Sequence, residues 1–296
     1  MQKIFRFSSL VLVGGTLVTA TTLLSFNFFS FSYPNSTATL AAAINNKGQV
    51  VGSYSTSSSY GQEFIRNPDG AFIPIQLPYS SIDSPATGIN SAGDVVGSFY
   101  DPDKDVAQGY LRTAAGVYSI IADPANPNDS GAFGINDVGQ IVGTYTDARN
   151  VGHGFIRDAQ GLYKTIDNPN ESVDPDGIEY SQLNAINNHG QMVGVFTDAA
   201  GQHGFAYKLG GTFITIDAPN AQAGTTTASG INDLGEIVGY FSDAFNVTHG
   251  FIRSADGGTY TTVDDPLSKS GTLIRGINDQ RQIVGSFAFE HAFIAR

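Results

Sequence analysis

The 296-residue chain contains no cysteine and no tryptophan, and only 14% of its residues are charged. Without cysteine there is no disulfide, no thiolate metal site and no thiol nucleophile, and the redox compartment stays open. Lys and Arg total 15 against 27 Asp and Glu, a net charge of −12. So few cations cannot gather into a phosphate-binding surface, which excludes nucleic acid as a partner. Long apolar runs are also scarce, the exception being an uncharged stretch from Phe7 to Leu24. What the chain has in quantity is 35 Gly and 12 Pro, with its 41% of apolar residues spread evenly. That distribution favours many short strands joined by turns over helices.

The apolar stretch follows Lys3 and Arg6, and Val18-Thr19-Ala20 supplies small residues near its end. A charged segment, an apolar segment and small residues in that order form an export signal. Residues 1–25 are therefore read as a signal peptide or, if uncleaved, an N-terminal anchor, and residues 26–296 as one domain. Membrane contact is expected only through that segment. The expected location is secreted, periplasmic or cell-surface.

One phrase then recurs six times. It reads Ala43-Ile44-Asn45-Asn46-Lys47-Gly48-Gln49-Val50-Val51-Gly52 in its first copy, and its isoleucine returns at Ile89, Ile135, Ile186, Ile231 and Ile277. The spacings of 45, 46, 51, 45 and 46 residues match one four-stranded propeller blade, roughly 40 to 50 residues. In the third copy a strand ends at Ile135-Asn136 and the Asn136 to Gly139 turn leads into a second strand, Gln140 to Tyr145. A third strand follows at His153 to Arg157 and a fourth at Leu162 to Asp167, before Pro169 stops the pairing. Val51 and its five equivalents lie on one face of the second strand, and Tyr54 and its equivalents on the other. Sheets covered on both faces imply blades stacked against each other.

The last copy stops at Arg296, one strand short, and Phe28-Phe29-Ser30-Phe31-Ser32-Tyr33-Pro34 aligns with the fourth strand at Phe213 to Pro219. The fold class expected is all-β: a six-bladed β-propeller of four-stranded antiparallel blades, its ring closed by an N-terminal strand from Phe28 to Tyr33. Closure removes an exposed sheet edge.

The Ile-Asn-x-x-Gly-x-Ile/Val-Val-Gly phrase is followed by His291-Ala292-Phe293 in the last copy and by His153-Gly154-Phe155, His203-Gly204-Phe205 and His249-Gly250-Phe251 in three others. This pairing of motifs, which covers residues 28 to 296, resembles the HAF family of bacterial extracellular repeat proteins. The first two copies depart from it, with Gln62-Glu63-Phe64 and Gln108-Gly109-Tyr110. The resemblance implies an extracellular or envelope setting and no particular activity.

Residues that recur at one position of the repeat are expected to serve the fold, including the four histidines and the six asparagines of the Ile-Asn pairs. The exceptions gather on one face, formed by the loops after strands two and four. That face carries Asp101, Asp147, Asp198 and Asp243, an enlarged loop from Pro169 to Asn184 with Asp174, Asp176, Glu179 and Tyr180, and the aromatics Tyr60, Tyr79, Tyr100 and Phe245. Aromatics anchor interfaces, so these are the candidate contacts for a protein or glycan partner. Asp101, Asp103 and Asp105 alternate like the start of a calcium loop, although neither the glycine at the sixth position nor the glutamate at the twelfth follows. Calcium is thus a conditional expectation. Sialidase-type Asp-box motifs end in Trp and are absent.

The function expected is that of an exported, non-enzymatic recognition or scaffold propeller. A glycan-active hydrolase or lyase at the central mouth of the same face is the alternative, and would require a deep pocket with two convergent carboxylates or a metal. A purely architectural envelope or matrix role would require no pocket.

Overall fold

In a computed structural model, the structure describes residues 26–59, 61–77, 85–122, 129–268, 271–287 and 291–296. Residues 1–25, read from the sequence as a signal peptide or anchor, and the candidates Tyr60 and Tyr79 lie outside them. Among the described residues no helix is long and apolar enough to cross a membrane.

The chain forms six four-stranded antiparallel sheets arranged as a β-propeller. Five sheets are built from consecutive strands. The third blade is representative: Ser130–Ile135, Ile141–Thr146, Gly152–Arg157 and Tyr163–Thr165. Its fourth strand is shorter than the Leu162 to Asp167 expected: the Leu162 carbonyl accepts from Asp158 within the turn, and the Asp167 carboxylate takes the Gly154 N–H and contacts His153.

The sixth sheet joins Phe28–Phe31 to His291–Ala295, with Phe28 opposite Ala295 and Phe31 opposite Ala292. Closure by the N-terminal strand is therefore as expected, but the strand ends at Phe31 and not Tyr33. The Tyr33 N–H donates to Thr39 Oγ1 and its carbonyl accepts from Ser36, so it has left the ladder. The Tyr33 ring instead stacks on Tyr54 of the first blade at 3.7 Å. The enlarged loop also ends earlier than expected: strand one of the fourth blade already begins at Ser181.

The core is a set of layers between blades. Val51, Val96, Val142, Val193, Val238 and Val284 are fully buried, as are Phe64, Phe205 and Phe293. One cluster joins Val142, Ile156 and Ile166 of the third blade to Leu183, Ile186 and Phe205 of the fourth. The glycine of each Val-Gly pair is a packing requirement. A Cβ on Gly143 would sit 1.9 Å from the Gly131 carbonyl oxygen and 2.9 Å from the Phe155 ring.

The six Ile-Asn asparagines close a ring of their own. Asn45 Oδ1 accepts from the N–H groups of Lys47 and Gln49, while its Nδ2 donates across the blade boundary to the Asn90 carbonyl at 2.8 Å. The crossing repeats from Asn90 to Asn136, Asn187, Asn232, Asn278 and back to Asn45. Each side chain thus tightens one turn and fastens the next blade. Asn187→Ala removes two turn bonds accepted by Oδ1 and two donated by Nδ2, to Gln191 Oε1 and the Asn232 carbonyl, and is expected to lower stability by about 2–4 kcal/mol in urea unfolding, at roughly 1 kcal/mol per bond. Asn187→Asp keeps the acceptors and should recover part of that loss.

Candidate central binding cavity

Strand one of every blade carries a β-bulge at the same repeat position. The unpaired residue is Ala42, Thr87, Phe133, Asn184, Ser229 or Arg275. An extra residue re-aims its side chain relative to the ladder, and all six meet around the central axis. They form a waist between two chambers. The chamber toward the turns holds about 120 Å³ and is ringed by the Ile-Asn motifs. The chamber toward the variable loops holds about 450 Å³, within the range that takes a small molecule.

While the flanking isoleucines are invariant, no two of the six waist residues are alike. Three are committed to the fold. Thr87 Oγ1, Asn184 Nδ2 and Ser229 Oγ each donate to a carbonyl of the next blade, those of Ala132, Ala228 and Ile274, at 2.7–2.8 Å. Phe133 and Arg275 make no such bond and are free to address the chamber. Among the described residues the Arg275 guanidinium has no ion-pair or hydrogen-bond partner, and its Cζ lies 5.9 Å from the centre of the Tyr240 ring.

Tyr240 occupies a strand-two position that is Ser53, Ser98, Thr144, Val195 or Ser286 in the other blades. The enlarged loop delivers Tyr180. Its backbone is pinned to Thr197, which accepts from the Tyr180 N–H and donates back to its carbonyl. The Tyr180 hydroxyl donates to Gln202 Oε1, and Gln202 Nε2 donates in turn to Thr227 Oγ1 at 2.7 Å. Burial, then the Tyr240 and Asp174 groups, push the Tyr180 phenol up to about 12. It is therefore a neutral donor at physiological pH. The described lining contains aromatics, amides and hydroxyls around one cation, and no carboxylate or histidine.

Of the described residues singled out from the sequence, Tyr180 alone lines this cavity. Most of the aspartates are occupied by their own turns. Asp147 accepts from the N–H groups of Arg149 and Val151, Asp174 from Asp176 and Ile178, and Asp243 from Phe245 and Val247. Asp198 accepts from the Ala200 N–H. Asp176 is exposed and Glu179 half-buried on the enlarged loop, and Phe245 is 86% exposed at a loop tip. Asp101 caps the Asp103 N–H and pairs with Lys104 at 3.1 Å, while Tyr100 donates to Asp105. Asp101 and Asp105 thus each hold a local side-chain partner.

The histidines bridge these loops. His203 contacts Asp217 through Nδ1 at 2.8 Å and Asp198 through Nε2 at 3.1 Å; His249 contacts Asp264 at 2.9 Å and Asp243 at 3.4 Å. Burial draws both imidazoles down, but hydrogen bonds and charge from the flanking aspartates outweigh it, and both rest above the usual histidine value. Each clamp ties the loop after strand two to the end of strand four, which is a structural duty.

Arg275, Phe133 and Tyr240 were not singled out from the sequence. For Phe133 and Arg275 the usable signal was variation in the column two residues before each isoleucine, and for Tyr240 a lone aromatic in the strand-two column that follows each Val-Gly pair.

No protein-family model and no curated protein matches the chain. Similarity to solved structures is confined to fold. Virginiamycin B lyase from Staphylococcus aureus has a TM-score of 0.54 at 14% identity, covering 92% of this chain and 99% of that one. AofleA from Arthrobotrys oligospora gives 0.58 at 12% identity, over 91% and 86%. A putative TolB from Agrobacterium tumefaciens gives 0.55 at 13%, over 76% and 80%.

Proposed function

We propose that this is an exported recognition propeller that takes a compact, ring-bearing anion into its central cavity, such as the acidic end of a glycan or a small aromatic carboxylate. The observation that carries the reading is Arg275, a guanidinium without an acidic partner among the described residues, set beside Tyr240 in a 450 Å³ chamber. A guanidinium binds a carboxylate through two parallel hydrogen bonds. Phe133, Tyr180 and Tyr240 offer ring faces, and the Gln182 amide offers a polar contact, the mixture that fixes a ligand's orientation.

Glycan hydrolysis calls for two carboxylates astride the scissile bond. None stands among the described lining residues, so recognition is the better supported reading. Nor does a purely architectural role account for a cavity of this size. The leader at residues 1–25 and the His-Gly-Phe and His-Ala-Phe triplets support export and a HAF-like extracellular setting.

The test is a titration series of acidic sugars and aromatic acids against their neutral amides. Carboxylates should bind and amides should not, and Arg275→Gln should weaken carboxylate binding roughly 10- to 100-fold, as expected for loss of a charged hydrogen bond. Equal affinity for acid and amide, or an Arg275→Gln variant that binds as the parent does, would overturn it.

A further inference from the structure

We propose that the third blade carries a divalent-cation site of the zinc class, formed by His153, Asp167 and Glu171. One ligand atom from each residue lies within 4.8 Å of those of the other two. The closest pair, His153 Nδ1 and Asp167 Oδ2, is 2.9 Å apart. Metal bonds of roughly 2.0–2.2 Å in tetrahedral array separate neighbouring ligands by about 3.3 Å, so small side-chain shifts suffice.

Comparison among the repeats isolates the site. The fourth and fifth blades hold the same imidazole between two aspartates, His203 with Asp198 and Asp217, and His249 with Asp243 and Asp264. Where Glu171 stands four residues beyond Asp167, those blades have Ala221 and Ser268. Only in the third blade does the enlarged loop return a third carboxylate to the clamp. Asp147, Asp167 and Glu171 then surround one imidazole, and the described cation beside them is Arg149, spent on Asp147 at 2.9 Å.

Glu171 is held in place independently of the cluster. Its N–H donates to the Asn168 carbonyl, the next residue's N–H donates to Thr197, and the fully buried Ser181 hydroxyl donates to its carboxylate. On the far side of the ring, His153 Nε2 faces Asp147 at 3.6 Å. A modest approach of that carboxylate would hold the proton on Nε2 and free the Nδ1 lone pair, which now faces Asp167, for a metal. One nitrogen and two oxygen ligands suit a borderline ion such as zinc better than calcium, which wants six to eight oxygens.

The experiment is calorimetric titration of the chelator-stripped full chain with Zn²⁺, repeated on three variants. The parent should show one saturable site, and Glu171→Gln and His153→Gln should each weaken it at least tenfold. Glutamine already stands at the His153 position in two blades, as Gln62 and Gln108, so the second variant keeps the fold. His203→Gln, in the clamp without a third carboxylate, should bind as the parent does. Absence of a saturable site would overturn the proposal. So would Glu171→Gln and His153→Gln both binding normally, an equal loss in His203→Gln, or displacement of Zn²⁺ by equimolar Ca²⁺.

Discussion

Between pH 5 and pH 9 the folded chain is expected to lose roughly 4–5 kcal/mol of stability, and Glu63→Gln is expected to remove most of that loss. Glu63 is 1% exposed, its Oε2 accepts from the Tyr110 hydroxyl at 2.6 Å, and its Oε1 has no partner. Burial pushes its carboxyl up to about 8, against the smaller opposing pulls of Tyr110 and Arg112. The folded chain therefore keeps a proton that the unfolded chain releases near pH 4.5. Stability falls through that window and levels off above about pH 8. His203 and His249, raised by their aspartates, act in the same direction: their contribution is complete below about pH 6.5 and fades above it. Urea unfolding across the pH range, parent against Glu63→Gln, measures both, and the variant should retain only the shallow histidine slope.

The Glu63 position explains two departures from the repeat at once. Other blades place Gly109, Gly154, Gly204, Gly250 or Ala292 there, and phenylalanine where the second blade has Tyr110. The added hydroxyl meets the added carboxyl across the boundary between the first two blades. Glu63→Gly and Tyr110→Phe should consequently be non-additive. Either change alone strands a polar group, whereas both together restore the ordinary junction.

Removing residues 26–33 is expected to abolish cooperative folding. The Phe28–Phe31 strand supplies the outer strand of the sixth blade, and Phe28 packs edge-on against the fully buried Phe293 at 5.1 Å. Phe31 and Tyr33 reach into the first blade, where Phe31 lies 6.3 Å from Phe64 and under the Arg66 guanidinium at 4.7 Å. Phe28, Phe31 and Tyr33 are half-buried, so each contributes part of the about 1.5–3 kcal/mol of full burial, together a sizeable share of the roughly 5–15 kcal/mol stability of a typical domain. The truncated chain would also bare the edge of His291–Ala295, a template for aggregation. Thermal unfolding and light scattering report both effects, and a peptide spanning residues 26–35 added in trans should restore a sharp transition. A cooperative transition in the truncated chain at the parent temperature would count against ring closure as a source of stability.

The blades, their order and the closing strand were legible because the Ile-Asn-x-x-Gly phrase marks the same turn six times and the missing last strand had a matching segment at Phe28. The cavity was not. Its waist is made by a bulge in each strand one, and nothing in Ala132-Phe133-Gly134 or Ile274-Arg275-Gly276 announces that the middle residue leaves the ladder. The aspartates drew attention because they interrupt the repeat. In Asp147-Ala148-Arg149-Asn150 and Asp243-Ala244-Phe245-Asn246, however, the carboxylate caps its own turn, with Asn150 and Asn246 in the left-handed region. A capping aspartate and a binding aspartate look the same in one dimension. Tyr180 is the residue by which the insertion reaches the central chamber.

The most direct test of the cavity assignment is a crystal soaked with the tightest-binding carboxylate from the titration series. The account predicts difference density inside the central chamber, with the carboxylate on Arg275 and the ring against Tyr240 or Phe133. Density on the outer loops at Asp174, Asp176 or Phe245, with the chamber holding only solvent, would contradict it.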